Sequence, residues 1–280
     1  MTTTTITAQA VNELRQKTGA GLMDCKKALI EAKGDMEAAI DYLRKKGAKV
    51  SELRAGKAAN EGVAIAQTSP DAKKGVIINL SSETDFVAKN EEFLSFAQQI
   101  AKVALDHMPS TLDELLKLQV DNLPIKEKLN ELVGKINENI KLSKYEHLQG
   151  EAIVAYNHGH YKIGVLVQFN QPLNPNTESI ARDIAMQIAA MNPVAVDKDD
   201  VPQAIIDREM EIGREQARAE GKPENMLEKI ATGKLQKFFK ENTLLHQQFV
   251  KDPSKTIAQV LSEADKNLKV VAFRRVTLGS

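Results

Sequence analysis

The run Ser82-Glu83-Thr84-Asp85-Phe86-Val87-Ala88-Lys89-Asn90 joins two segments of different hydrophobic period. Before it, Val76-Ile77-Ile78-Asn79-Leu80 reads as a buried strand. After it, Asn90 is a good N-cap, and Glu91 and Glu92 suit the positive end of a helix dipole, so a helix starts there. The run is therefore a strand-to-helix loop, and Phe86 falls outside the helix. Two readings of Phe86 are open. A lone loop aromatic can close the base of its own domain. Alternatively, an aromatic beside a carboxylate, held between two rigid elements, is presented outward as a wedge with a charged neighbour.

Working outward, residues 62–67 read as a strand, 69–71 as a turn and 75–81 as the hairpin partner. The helix from Glu91 carries Phe93, Phe96, Ala97, Ile100, Ala101 and Ala104 on one stripe, which should cover the sheet. Pro109 breaks it, Thr111 with Glu114 predicts a capping box, and a further amphipathic helix carries Leu129, Leu132, Val133, Ile136 and Ile140. From Gly150 the pattern returns. Residues 151–156 read as a strand, His158-Gly159-His160 as a turn and 162–169 as a strand, and a helix after Thr177 bears Ile180, Ile184, Ile188 and Met191. Hairpin plus covering helix thus occurs twice, which predicts an α+β fold with two similar halves. A helix over 254–265 and a terminal strand over 268–278 should complete the second sheet.

Towards the N-terminus, Thr7 caps a helix with Val11 and Leu14 inside, ended by the glycines of Thr18-Gly19-Ala20-Gly21. A second helix buries Cys25, Ala28, Leu29 and Ala32. Gly34 and Asp35 stop it and cap a third, bearing Ala39, Ile40 and Leu43. Residues 45–60, Lys/Arg/Ala-rich, suit an exposed connecting helix. Residues 201–220 and 224–241 are charged helices around Gly221-Lys222-Pro223, an antiparallel hairpin. Its large apolar residues, among them Ile205, Ile206, Met210, Ile212, Met226, Leu227 and Ile230, are too few to bury deeply, so it should project. The resulting domains are 1–55, 56–146 and 147–280, the last including the 201–241 hairpin.

No reaction chemistry emerges from these residues. Gly19-Ala20-Gly21 with Lys26-Lys27 fails as a phosphate loop because Asp24 and Ala28 occupy positions that need Gly and a hydroxyl. Cys25 lies on an apolar helix face with no general base nearby. His158 and His160, two apart, would share a face on an extended backbone and make half a metal site, but nothing completes it. The 38 basic and 38 acidic residues cancel, which gives no long-range pull towards nucleic acid or anionic membrane. Aromatics are 4% with no Trp, so stacking platforms for single-stranded RNA are scarce. One cysteine excludes an intrachain disulfide and fits a reducing compartment. The Thr-rich opening has no secretory leader pattern and no stretch suits a membrane span, so a soluble, cytoplasmic protein is expected.

Thr84-Asp85-Phe86-Val87, the run from Thr18-Gly19-Ala20-Gly21-Leu22-Met23-Asp24-Cys25 to Leu29, Tyr156-Asn157-His158-Gly159 and Ile163-Gly164-Val165-Leu166-Val167 resemble, in order, the motifs of the bacterial elongation factor Ts family. Its members are nucleotide exchange factors for elongation factor Tu. The resemblance spans almost the whole chain. It implies an N-terminal three-helix module of ubiquitin-associated type, a core of two antiparallel-sheet subdomains, and a coiled-coil-like helical hairpin used for oligomer or partner contacts. It implies no enzyme activity and no cofactor. The partner would be elongation factor Tu, GDP-bound and nucleotide-free, with no direct nucleic acid and no membrane. Thr84, Asp85, Phe86 and Val87 would disturb the partner's Mg²⁺ site. Arg15, Leu22, Met23 and His158 would make further contacts. Without the resemblance, the layout also fits a protein-interaction adaptor without exchange activity.

Overall fold

The computed structural model describes residues 6–279. The first five residues, part of the stretch read as lacking a leader, lie outside the described residues. Helices α1 (Ala8–Thr18), α2 (Leu22–Glu31) and α3 (Met36–Arg54) form the N-terminal bundle. Thr7 Oγ1 accepts from the Ala10 amide, Gly19 ends α1 in the left-handed region, and Asp35 caps α3 through the Ala38 amide. Val11, Leu14, Cys25, Ala28, Leu29 and Ala39 close the bundle's core, as their spacing predicts.

Strands β1 (Glu61–Thr68) and β2 (Lys74–Ser82) form the expected antiparallel hairpin, Glu61 opposite Ser82. The loop after β2 is partly helical: α4 (Asp85–Ala88) is a single turn before α5 (Glu91–His107). Asn90 Oδ1 accepts from the Glu92 and Phe93 amides at 2.8 and 3.3 Å, so the helix starts where the cap predicts. At α6 (Leu112–Lys117) the capping box is half made. Thr111 Oγ1 accepts from the Glu114 amide, but the Glu114 carboxylate reaches the amide of Ser110 instead of Thr111. Short strands β3 (Gln119–Val120) and β4 (Leu123–Pro124) lead into α7 (Ile125–Ile136).

Ile140 does not belong to α7. Asn137 stops that helix in the left-handed region, and the chain leaves as β5 (Lys141–Gln149), paired antiparallel with β2. This strand was not expected. Its apolar residues Leu142, Tyr145 and Leu148 recur every third residue, a helix-like spacing, and polar residues fill the intervals.

The second hairpin, β6 (Ala152–His158) and β7 (Ile163–Phe169), precedes α8 (Pro175–Met191). That helix starts before Thr177, because Asn174 is its cap and Thr177 reaches back to the Asn174 amide. Met191, expected on its buried stripe, is half-exposed at the end. Next come α9 (Gln203–Ala219) and α10 (Glu224–Asn242), turned by Gly221, then β8 (Gln248–Phe249) and β9 (Asp252–Thr256). The helix expected over 254–265 shortens to α11 (Ile257–Ala264), since residues 254–256 belong to β9 and Thr256 with Gln259 makes the capping box. Finally β10 (Val270–Thr277) pairs with β7 and closes the second sheet, as expected.

The two three-stranded sheets, ordered β1-β2-β5 and β10-β7-β6, pack against each other. Val63, Ile65, Val76 and Ile78 face α5, while Ala64, Ala66 and Ile77 face the second sheet. There, Leu166 faces the first sheet while Val165, Val167 and Phe169 face α8. Antiparallel strands buried on both faces lose their polar alternation, which is why these strands read as continuous apolar runs. A Cβ on Gly164 would lie 2.9 Å from Ile77 Cγ2 and 3.3 Å from the Ala64 carbonyl oxygen, so only glycine permits this approach. The Asn157 side chain seals the junction, donating to the Ala66 carbonyl and accepting from its amide.

The hairpin α9–α10 is antiparallel, and α9 packs chiefly on α10. Of the large apolar residues read there, Leu227 is buried and Met226 exposed. The buried positions are Gly213 and Ala217 on α9 and Leu227, Ala231 and Leu235 on α10, and Gly213 lies against Ala231. Arg214 pairs with Glu228 at 2.6 Å across the seam.

Of the exposed connecting helix expected over 45–60, residues 45–54 are the second half of α3, which continues unbroken from the bundle and packs on α7, and residues 55–60 are not helical. Gly47 is buried there. A Cβ on it would lie 2.6 Å from the Asn130 carbonyl oxygen, and one on Gly134 would lie 2.8 Å from Gly47 Cα. In an open helix Gly→Ala stabilises by about 0.8–1 kcal/mol. Here Gly47→Ala should destabilise by about 1–3 kcal/mol through overpacking, seen as a lowered midpoint in thermal denaturation.

Candidate functional site

The root of the Phe86 loop is fastened by a small polar network. Ser82 Oγ donates to the Thr84 carbonyl at 2.9 Å. The Thr84 amide and hydroxyl donate to the two oxygens of Glu138, at 3.0 and 2.7 Å. In return, Glu83 Oε1 accepts from the Asn139 amide at 2.6 Å and from Arg54 Nη1 at 2.7 Å. Arg54 Nε also donates to Asn137 Oδ1 at 3.2 Å, and Asn139 Nδ2 to the Lys57 carbonyl at 2.6 Å. The Asn139 amide, followed by the Arg54 guanidinium, holds the Glu83 carboxyl below the usual range. The loop root is thus tied both to the turn between α7 and β5 and to the end of α3.

Beyond the root, the single turn α4 points two adjacent apolar residues in different directions. Val87 is 9% exposed and belongs to the first core, whereas Phe86 is 81% exposed. Successive helical residues point about 100° apart, so burying Val87 turns Phe86 out. Closure of the domain base falls to Val87, and the reading of Phe86 as core fails. Asp85, half-exposed, accepts from Lys89 Nζ at 2.6 Å, one turn along. That bond lowers the Asp85 carboxyl below its ordinary range and raises the Lys89 ammonium; Lys162 adds a weaker pull on Asp85.

Lys162 belongs to the turn between β6 and β7, so this turn neighbours the Phe86 loop. The Ala64 amide donates to the Tyr161 carbonyl at 2.7 Å, and Tyr161 packs on the first core. His158, at the end of β6, is exposed, with Nδ1 2.9 Å from Tyr156 Oη. His160 sits at φ 54° in the turn, so the extended backbone on which it would share a face with His158 is absent. Among the described residues no group of three or more His, Cys, Asp or Glu is placed to hold a metal.

Arg15, Leu22 and Met23 lie on the helical bundle, all exposed, Leu22 to 47% and Met23 to 72%. Two apolar side chains at the start of α2 therefore face solvent, while Cys25 beside them is buried. Cys25 Sγ donates to the Ala20 carbonyl at 3.6 Å, and burial pushes its thiol up, which fits a core residue. The back of Gly19 is occupied by Lys135, whose Nζ would lie 2.7 Å from a Cβ there. Glu138, Glu83, Arg54 and Lys162 were not legible as site residues. The first three are joined to the loop root by bonds across 29 to 56 residues and Lys162 acts on Asp85 from the second hairpin, so no local motif carries the link.

The family model described as Elongation factor TS matches residues 83–280, from the loop root to the end of the chain. Elongation factor Ts of Amoebophilus asiaticus is 52% identical over 275 residues, covering 98% of this chain and 99% of its own. That of Cytophaga hutchinsonii is 50% identical over 275 residues and that of Christiangramia forsetii 48% over 274, each with 98% of this chain and 99% of its own covered. Among the described residues no helix is long and apolar enough to cross a membrane. The chain belongs to the elongation factor Ts family of translation elongation factors.

Proposed function

We propose that this chain is the guanine nucleotide exchange factor of elongation factor Tu, and that it acts by binding alone. It engages the GDP-bound partner, disturbs the Mg²⁺ and phosphate site, and holds the nucleotide-free form until GTP binds. The observation that carries this reading is Phe86, 81% exposed beside Asp85 on a turn whose root is fastened on both sides.

Exchange is a coupling between two ligands of the partner. Whatever factor this chain costs GDP, GDP costs this chain, so the ternary state is transient. Weakening GDP about a thousandfold requires a differential interaction of roughly 4 kcal/mol. Burying a Phe side chain supplies about 1.5–3 kcal/mol, so Phe86 needs help. Asp85 supplies it by exchanging its bond to Lys89 for donors around the partner's metal site. An exposed ion pair of this kind contributes little in the free chain, so it is readily given up. Thr84 and Val87 hold the turn.

Arg15, Leu22 and Met23 on the helical module anchor the same nucleotide-binding domain of the partner, and His158 grips a different one. Remote contacts then support strain at the nucleotide pocket. In this reading residues 1–55 are the ubiquitin-associated-like module, 56–146 and 147–280 are the two core subdomains, and the 201–241 hairpin is the arm available for oligomer or partner contacts.

Phe86→Ala should slow GDP release more than it weakens binding to the nucleotide-free partner. Stopped-flow release of a fluorescent GDP analogue checks this, and an unchanged exchange rate would refute it. Lys89→Gln should raise the Asp85 carboxyl back towards its ordinary range, followed by ¹³C titration of the free chain. Because the pairing lowers the folded-state value, its contribution is present above the unfolded value and is lost as pH falls through the folded one.

A further inference from the structure

We infer that Glu138 is a positioning residue for exchange: its carboxylate clamps Thr84 and so sets the direction in which Phe86 projects. The inference rests on the reading of Phe86 as the group that enters the partner.

Thr84 precedes α4 at φ −122° and makes no side-chain cap to that turn. A threonine in the N-cap position ordinarily turns its hydroxyl onto an amide of the following helix. Here the hydroxyl and the amide are both diverted to Glu138, one to each carboxylate oxygen. Bidentate bonds to an ionised acceptor fix direction as well as distance. One residue back the polarity reverses, because Glu83 accepts from the Asn139 amide. Glu83-Thr84 and Glu138-Asn139 therefore clasp each other from opposite sides, through side-chain carboxylates instead of a strand ladder.

A four-residue turn cannot hold its own orientation, since helices this short are unstable alone. Val87 pins one side of α4 by burial, and the clasp pins its entry. Phe86 lies between these two fixed points. A wedge acting on a pocket in a second protein loses rate steeply when displaced by about 1 Å, while the broad remainder of the interface is indifferent to that shift. Glu138 thus governs how well Phe86 is aimed and contributes little to whether the partner is bound.

The test is saturating stopped-flow release of a fluorescent GDP analogue from elongation factor Tu, with affinity for the nucleotide-free partner measured in parallel. Glu138→Ala should slow saturating release roughly tenfold while changing affinity less than about twofold. Glu138→Gln can accept from the Thr84 amide and donate to its hydroxyl, so it should keep at least about half the rate. In a Phe86→Ala background, Glu138→Ala should slow release no further. Should Glu138→Ala fail to fold, Thr84→Val, which deletes only the hydroxyl bond, should slow release in the same sense. Release at the parent rate by Glu138→Ala alongside a slow Phe86→Ala overturns the role of Glu138 and leaves the wedge standing. So does a further loss in the Phe86→Ala background, or a loss of affinity equal to the loss of rate. A parent rate for Phe86→Ala itself overturns both.

Discussion

The contact between the inner faces of the two sheets sets small side chains against large ones. Ala64 and Ala66 on one sheet meet Leu166 and Ile153 on the other, and Gly164 lets the backbones approach where any Cβ would collide with Ile77. Everything else is stacked on that contact. With their inner faces joined, each sheet has one remaining face, and α5 and α8 cover these with Phe93, Phe96 and Ile100 on one side and Ile184 and Ile188 on the other. The result is a layered order of helix, sheet, sheet, helix. It brings the turn between β6 and β7 beside the loop that follows β2, although about 75 residues separate them along the chain.

On this scaffold the candidate site is a matter of what is held and what is left free. Val87 is buried, Thr84 and Glu83 are clasped by Glu138 and Asn139, and Arg54 ties the same root to α3. Phe86 is left in solvent on a turn that cannot relax inward, because Val87 already fills the space below it. An exposed aromatic next to a carboxylate is poorly placed for the stability of its own chain. It is well placed to act on another protein, where burial that is not available at home becomes available on binding.

Particular residues show how far the chain could be read in advance. Asn90, Thr7 and Asp35 mark helix starts because a capping side chain acts within three residues of itself, and each caps as expected. The stripe on α5 was legible for the same reason. Strand β5 was not, since its neighbours in space are β2 and strands of the second sheet, and the one-in-three recurrence of Leu142, Tyr145 and Leu148 imitates a helix. The second half of α3 is largely exposed, as expected, but its contact with α7 was not legible because Gly47 carries no side chain to signal burial, and its bare backbone is the contact.

From its order of residues alone, this chain determined the α+β alternation, the two hairpins with their covering helices, and the position of Thr84-Asp85-Phe86-Val87 between a strand and a helix. Those features follow from caps, breakers and hydrophobic period, which act over a few residues. Tertiary structure alone decided that Phe86 faces out while Val87 faces in, that Glu138 holds Thr84, and that the sheets meet back to back. Each of these depends on which distant segment arrives opposite. Period and propensity carry no record of that, because it is settled when the packed layers exclude water from one side of a turn and not the other.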